Sequence, residues 1–438
     1  MTPIGATVQS NFRAVFSANQ IRPASPADGI SGVQPQFLLE PATEQQLATA
    51  LRLAEESKLA VIPRGGGTKL RWGNAPSRAD LILSTARLKR ILEHAWADLT
   101  VTVEAGCTIE ALQQTLAQHG QRLAVDPLWP EKATVGGVLA TNDSGALRLR
   151  FGGLRDLIIG VTIALPDGTL AASGGKVVKN VAGYDLPKLV TGALGTLGVV
   201  TRAVFRLHPL PRHSRSFTIS ASNPEAAQKI VLAIQDSELA HVALQSRFSA
   251  EASPAVDILF EGAEAGLDAQ AGQLRALCGS AKSSVADVRP EPRSGTNPTS
   301  GSAPRAWKAR QDLWSFSNPA ESAIAKISVL PADLAHSTEL LRLVAESSRV
   351  KWRFLMYATG LGWLRLEGPA DNLHRALTIL RTDLAKIGGS LAVTHCPANM
   401  QAFDAWGSPG DSLPLMKAVK SHLDPSSTLN PGRFVGGI

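Results

Sequence analysis

Pro63-Arg64-Gly65-Gly66-Gly67-Thr68-Lys69 is the stretch of this chain whose residue types best suit a ligand. It follows Leu59-Ala60-Val61-Ile62, which reads as a short apolar strand. Three successive glycines carry no Cβ, so the backbone can turn sharply and aim several N–H groups at one point. Such a nest suits an anion, phosphate above all, and Arg64 and Lys69 flank it with positive charge. A tight glycine turn that binds nothing fits the same residues. The spacing excludes two familiar phosphate sites. A Walker A loop needs G-x-x-x-x-G-K-[ST], but Lys69 precedes Leu70 and no glycine stands five residues before Gly67. A dinucleotide turn needs G-x-G-x-x-G, and Thr68, Lys69 and Leu70 follow Gly67 instead.

Three further segments invite a close backbone approach. Thr134-Val135-Gly136-Gly137-Val138-Leu139-Ala140-Thr141-Asn142-Asp143-Ser144-Gly145 is rich in small residues and reads as a short helix. Gly192, Gly195 and Gly198 recur every third residue before Val199 and Val200. The chain closes on Leu429-Asn430-Pro431-Gly432.

The elements around these segments are legible from pattern. Thr43 followed by Gln46 is a capping box, and Leu47, Leu51 and Ala54 share one helix face to about Ser57. Leu81–Leu83 and Leu99–Val103 read as strands, and Thr108 caps a helix closed by Gly120. Ile158–Leu165 and Leu170–Ala172 form a strand pair around Pro166-Asp167-Gly168-Thr169. Val199–Leu207 is a last strand before Pro209 and Pro211, which mark a domain boundary. Residues 1–32 read as an extended lead-in. Residues 281–304, rich in Ser, Pro and Gly, read as a flexible loop. Beyond the boundary, strands are expected near Phe217–Ile219, Val256–Phe260, Ala325–Leu330, Arg353–Tyr357 and Trp363–Glu367, with a helix over about 370–387.

The order of these glycine-rich segments resembles the FAD-binding fold of the vanillyl-alcohol oxidase / p-cresol methylhydroxylase type. Within it the chain is similar to the D-lactate dehydrogenase and glycolate oxidase group, and most to the FAD-binding E-type subunits of glycolate oxidase. The most specific stretch is Lys176-Val177-Val178-Lys179-Asn180-Val181-Ala182-Gly183-Tyr184-Asp185 leading to Leu194-Gly195-Thr196-Leu197-Gly198. The resemblance covers about residues 35–211 plus the last fifteen. It implies an α+β protein with a two-lobed FAD-binding domain over 33–211, a smaller α/β cap domain over 212–422, and a tail at 423–438 returning to the flavin. By the same resemblance, Pro63, Arg64, Gly65, Gly66, Gly67, Thr68 and Lys69 cradle the FAD pyrophosphate. Thr134, Gly136, Gly137, Asn142 and Gly145 line the pyrophosphate and the flavin edge. Val199 and Val200 meet the adenine side, Asn430 lies near the isoalloxazine ring, and Asp126 and Pro127 sit at the flavin's edge.

Two departures bear on function. Catalytic members of the group carry Glu before the Gly-Thr-Leu-Gly run, where this chain has Leu194. They also carry a histidine metal motif of the Gly-Asp-Gly-Asn-Leu-His type, where this chain reads Ala358-Thr359-Gly360-Leu361-Gly362-Trp363. Oxidising a 2-hydroxy acid needs a base for the hydroxyl proton and a cation for the carboxylate, and neither is evident. The resemblance therefore implies an FAD-binding subunit of a glycolate oxidase complex, working with a catalytic flavin subunit and an iron–sulfur subunit. A self-sufficient FAD dehydrogenase of another 2-hydroxy acid and a scaffold without FAD remain alternatives. No catalytic residue and no metal site is assigned.

Composition agrees with this class. Lys and Arg number 44 against 37 Asp and Glu, and they are scattered, which argues against nucleic acid. Cys107, Cys278 and Cys396 are far apart, without a C-x-x-C pair, and read as buried free thiols in a reducing compartment. The nine histidines show no H-x-x-H spacing and read as structural or surface groups. His395 beside Cys396 leaves a covalent flavin link open. Trp307, Trp314, Trp352 and Trp363 read as core or subunit interface. No apolar run is long enough to span a membrane, so the expected location is cytoplasmic, with peripheral membrane contact through the complex.

Overall fold

The computed structural model describes residues 6–176, 183–280, 285–288, 305–400 and 403–438. The centre of the Lys176–Asp185 stretch, residues 177–182, and most of the expected loop at 281–304 lie outside the described residues. Within that loop, Val285–Val288 forms a strand. The chain divides into two compact units. One comprises residues up to Ser144, Gly153–Pro209 and Ser408–Ile438, and the other Gly145–Gly152 and Leu210–Gly407.

The first unit holds two main sheets. A four-stranded sheet runs in the order Ile21–Pro23, Phe37–Leu39, Leu81–Ser84, Val61–Arg64. The last three strands are parallel, and the first pairs antiparallel at its edge. Its helix, Glu44–Glu56, begins where the Thr43 hydroxyl accepts the Gln46 amide, one half of the expected capping box, while the Gln46 side chain accepts the Ala42 amide instead of that of Thr43. Leu47, Leu51 and Ala54 are fully buried and pack it against the sheet through Leu39, Val61 and Leu83. The second sheet is antiparallel, in the order Ile91–Ala95, Thr100–Glu104, Val199–Arg206, Ile158–Ala164, Leu170–Gly174. The helix Ile109–Ala117, capped by Thr108, covers it with Leu112 and Leu116. The lead-in is not wholly extended: Ala6–Val15 is a helix, followed by Phe16. Phe12 and Phe16 drive it by burying their rings in the first sheet's core.

The edge strand Val61–Arg64 is not left open. Thr428 accepts the Val61 amide at 2.7 Å and Asn430 donates its own to Val61 at 2.9 Å, so the C-terminal segment closes that edge. This returning piece of chain starts at Ser408, earlier than the expected 423, and includes the helix Leu413–Leu423.

The second unit is built on one eight-stranded sheet whose pairings are all antiparallel. Helices Pro224–Gln235, Glu264–Ser280, Leu334–Ser348 and Ala370–Lys386 contribute to one apolar core with it. Strand alternation decides which side chains join that core. Along Ser322–Ser328, Ala323, Ala325 and Ile327 do, whereas Lys326 packs over Trp363. Trp352 and Trp363 are buried, Trp314 meets Trp363 edge-on at 6.1 Å, and Trp307 donates to Ser216. His395 is buried and stacked on Phe316 at 4.6 Å.

Candidate cofactor groove

Both arms of the candidate site lie in the first unit. One arm, about 450 Å³, is lined by Pro63, Gly65 to Leu70, Thr134, Gly137, Leu194, Asn430 and Arg433. The other, about 510 Å³, is lined by Arg64, Thr85, Gly136, Gly137, Gly195, Val199 and Val200 among others. The arms share Pro63, Gly65, Gly137, Ala140 and Leu194, so they form one groove.

The three glycines have separate reasons. A Cβ on Gly65 would meet the Thr134 hydroxyl at 2.0 Å, and one on Gly66 would meet the Lys132 carbonyl oxygen at 1.7 Å. Gly67 instead takes a left-handed φ of +72°. The loop is thus pressed against Lys132–Thr134 and then turned away. Among the described residues, no hydrogen bond satisfies the amides of Gly65, Gly66, Gly67 or Thr68, and Gly66 and Gly67 are exposed. A cluster of unsatisfied backbone N–H groups is the donor set of an anion nest.

The flanking charges are already matched. The Lys69 ammonium is buried 3.2 Å from the Asp143 carboxylate and hydrogen-bonds the Leu128 carbonyl. It also sits over the rings of Trp72 and Trp129. Arg64 pairs with Asp28 at 2.8 Å, and Asp28 also binds Arg22. Hydrogen bonds from Arg22, then Arg64 and Ser25, hold the Asp28 carboxyl well below the usual carboxylate range. The expected positive flanks are therefore ion pairs, and the free donors of the loop are its amides.

The second and third walls meet at Gly195. Leu194 and Asn430 both adopt left-handed conformations, at φ +51° and +46°. The Asn430 amide group donates to the Leu194 carbonyl at 2.5 Å, and a Cβ on Gly195 would touch Asn430 and Pro63. Arg433 donates to Asn430 Oδ1 and to the Leu70 and Trp72 carbonyls. Burial pushes its guanidinium down to about 10, still charged at neutral pH.

Of the residues read from sequence, the groove brings together Pro63 to Lys69, Thr134, Gly136, Gly137, Val199, Val200 and Asn430. Asp126, Pro127 and Asn142 are not among its lining residues. Asn142 caps the helix Val135–Thr141 in a left-handed turn beneath Gly192. Gly145 belongs to the second unit. Sequence reasoning missed Leu70, Ala140 and Arg433, whose only signal was proximity to a glycine or to Asn430, and Thr85, which follows the strand Leu81–Ser84 and carried no signal. Cys107 and Cys278 are buried and Cys396 half-buried, all free, and burial raises each thiol above its ordinary value.

A family model described as an FAD binding domain matches residues 35–174. The glycolate oxidase subunit GlcD of Bacillus subtilis is 25% identical over 91% of this chain and 89% of its own length. A D-2-hydroxyglutarate dehydrogenase of Xanthomonas citri is 26% identical over 91% and 89%. The bovine mitochondrial D-2-hydroxyglutarate dehydrogenase is 37% identical over 40% of this chain and 32% of its own. Among solved structures, p-cresol methylhydroxylase superposes with a TM-score of 0.77 at 15% identity, covering 98% of this chain and 96% of that one. An alkyldihydroxyacetonephosphate synthase does so at 0.75 and 17%, covering 99% and 87%. The groove fits that cofactor: four open amides suit a pyrophosphate, and glycines keep side chains out of a long cleft. The chain is an FAD-dependent oxidoreductase: it carries an FAD binding domain over residues 35–174 and shares the fold of p-cresol methylhydroxylase.

Proposed function

We propose that this chain is the FAD-binding subunit of a D-2-hydroxy-acid dehydrogenase complex. The complex oxidises glycolate to glyoxylate and passes the electrons to an iron–sulfur partner. In this reading the amides of Gly65–Thr68 hold the pyrophosphate, with Pro63, Thr134, Gly136 and Gly137 beside them. Val199 and Val200 border the adenine, and Asn430 and Leu194 border the flavin ring. Bound FAD supplies a hydride and electron acceptor. This chain's residues bind it, orient it and exclude water.

One observation carries the reading: a well-formed cofactor groove stands beside an apolar residue where an acid is expected. Leu194 lines both arms, at the position where the resemblance expects Glu. The place of the expected histidine motif is a tight turn at Thr359-Gly360 between strands Lys351–Tyr357 and Leu361–Glu367, with Gly360 at φ +82°. Among the described residues, no three His, Cys, Asp or Glu side chains gather as a metal site. Taking a proton from a hydroxy acid needs a positioned base, so the reading assigns that step to a partner flavin subunit. No helix among the described residues is long and apolar enough to cross a membrane, and the reading places any membrane contact on the partners.

The test is anaerobic mixing of the FAD-loaded chain with glycolate or D-lactate. The reading expects no bleaching by the chain alone and bleaching once the partner subunits are added. A second reading, a self-sufficient FAD dehydrogenase of another 2-hydroxy acid, is favoured by the similarity to a D-2-hydroxyglutarate dehydrogenase over 91% of this chain. Rapid bleaching of the chain alone would establish it.

A further inference from the structure

The groove's walls come from distant parts of the chain, and one buried cation touches two of them. Lys420, in the helix Leu413–Leu423, is 6% exposed. Its ammonium donates to the Thr196 carbonyl at 2.8 Å, the Asp424 carboxylate at 2.5 Å and the Leu429 carbonyl at 3.0 Å. An ammonium has three donors, and all three are used. Asp424, 1% exposed, accepts the amides of Thr428 and Leu429, each at 2.8 Å. One end of this network fixes Thr196, next to Gly195 and Leu194. The other fixes Leu429, next to Asn430. Asn430 then donates to Leu194 and Val61, which ties both ends to the strand leading into the glycine loop.

We propose that Lys420 and Asp424 are a positioning pair that preorganises the FAD groove, holding the Leu194–Thr196 and Leu429–Asn430 turns in register without touching the cofactor. Such a role explains a charged pair where apolar side chains would cost less to bury. Leu194 and Asn430 have positive φ, and non-glycine turns of that kind persist only where their surroundings over-determine them. Lys420 supplies contacts to the carbonyls on both sides. The inference rests on the groove being that of FAD and not on the choice of substrate.

Lys420→Met alone would leave Asp424 as an uncompensated buried charge, so the test uses the double variant Lys420→Met/Asp424→Asn beside wild type. FAD is removed from both, and folding of the apo proteins is checked by circular dichroism. FAD is then titrated back, and amide exchange of the apo proteins is mapped. The wild-type titration reports on the cofactor reading, and the ratio of the two dissociation constants reports on the pair. The proposal expects a folded double variant with Kd for FAD raised about tenfold or more. It also expects faster exchange concentrated at Thr196, Thr428, Leu429 and Asn430, which does not depend on FAD at all. A Kd ratio below about two in a folded variant overturns it. So does exchange that rises uniformly across the first unit. A double variant that does not fold overturns it as well, because the pair would then serve the core as a whole.

Discussion

Replacing Gly66 by alanine tests the glycine loop most sharply. The added Cβ would stand 1.7 Å from the Lys132 carbonyl oxygen and 2.8 Å from its carbon. Both partners are backbone, so no side-chain rotation relieves the clash. Contacts below 3.0 Å are essentially never seen, so the glycine loop and the turn at Lys132 must part by more than about 1 Å. Hydrogen bonds from backbone amides work only over a donor–acceptor window of about 2.7–3.2 Å. A displacement of that size takes about two of the four open amides out of reach of one anion. Hydrogen bonds to charged groups contribute about 1.5–3 kcal/mol each. The loss is then about 3 kcal/mol or more, roughly a hundredfold in Kd. Overpacking costs folding about 1–3 kcal/mol besides. The control is Gly262→Ala, whose Cβ would meet nothing within 4 Å and whose backbone, like that of Gly66, is not left-handed. The assay is titration of apo protein with FAD, followed by flavin fluorescence. A folded Gly66→Ala variant that binds FAD within threefold of wild type would refute the nest.

Three further outcomes follow from other parts of the site. Gly65→Ala meets the Thr134 side chain instead of backbone, so its Kd should rise less than that of Gly66→Ala in the same titration. Lys69→Met should destabilise the fold by about 3–5 kcal/mol because Asp143, fully buried, loses its ammonium partner, and Lys69→Met/Asp143→Asn should recover most of that in urea unfolding. Asp28 has a carboxyl held down by Arg22, Arg64 and Ser25, so its stabilising effect is present above the unfolded value of about 3.9 and is lost as pH falls through its lower folded value. The stability gap between wild type and Asp28→Asn should therefore be constant from pH 7 to about 5 and shrink below about pH 4, and a gap that grows on acidification would contradict this.

The glycine loop was legible because glycine reports a backbone constraint directly. Gly65 and Gly66 mark close approach, Gly67 marks a left-handed turn, and each constraint leaves its trace in the residue type itself. Thr43 and Thr108 were legible as helix caps for the same reason. The charges were not. Lys69 is paired across 74 positions with Asp143, and Arg64 across 36 with Asp28, and nothing in the spacing announces either pair. Asp126 and Pro127 were expected at the flavin's edge from the resemblance alone, yet they do not line the groove. Lys420 was given no role from the sequence, because only the fold returns it to Thr196. The second unit's sheet was only partly legible. Strands such as His241–Ser249 and Ser390–His395 mix polar and apolar residues in a way that only their neighbours in the sheet explain.

Anaerobic stopped-flow reduction of the purified, FAD-saturated chain by glycolate tests the central claim most directly. The account predicts a yellow protein with about one FAD per chain whose flavin absorbance is unchanged by glycolate or D-lactate until the partner subunits are present. Full bleaching of the isolated chain at a catalytically competent rate would contradict it.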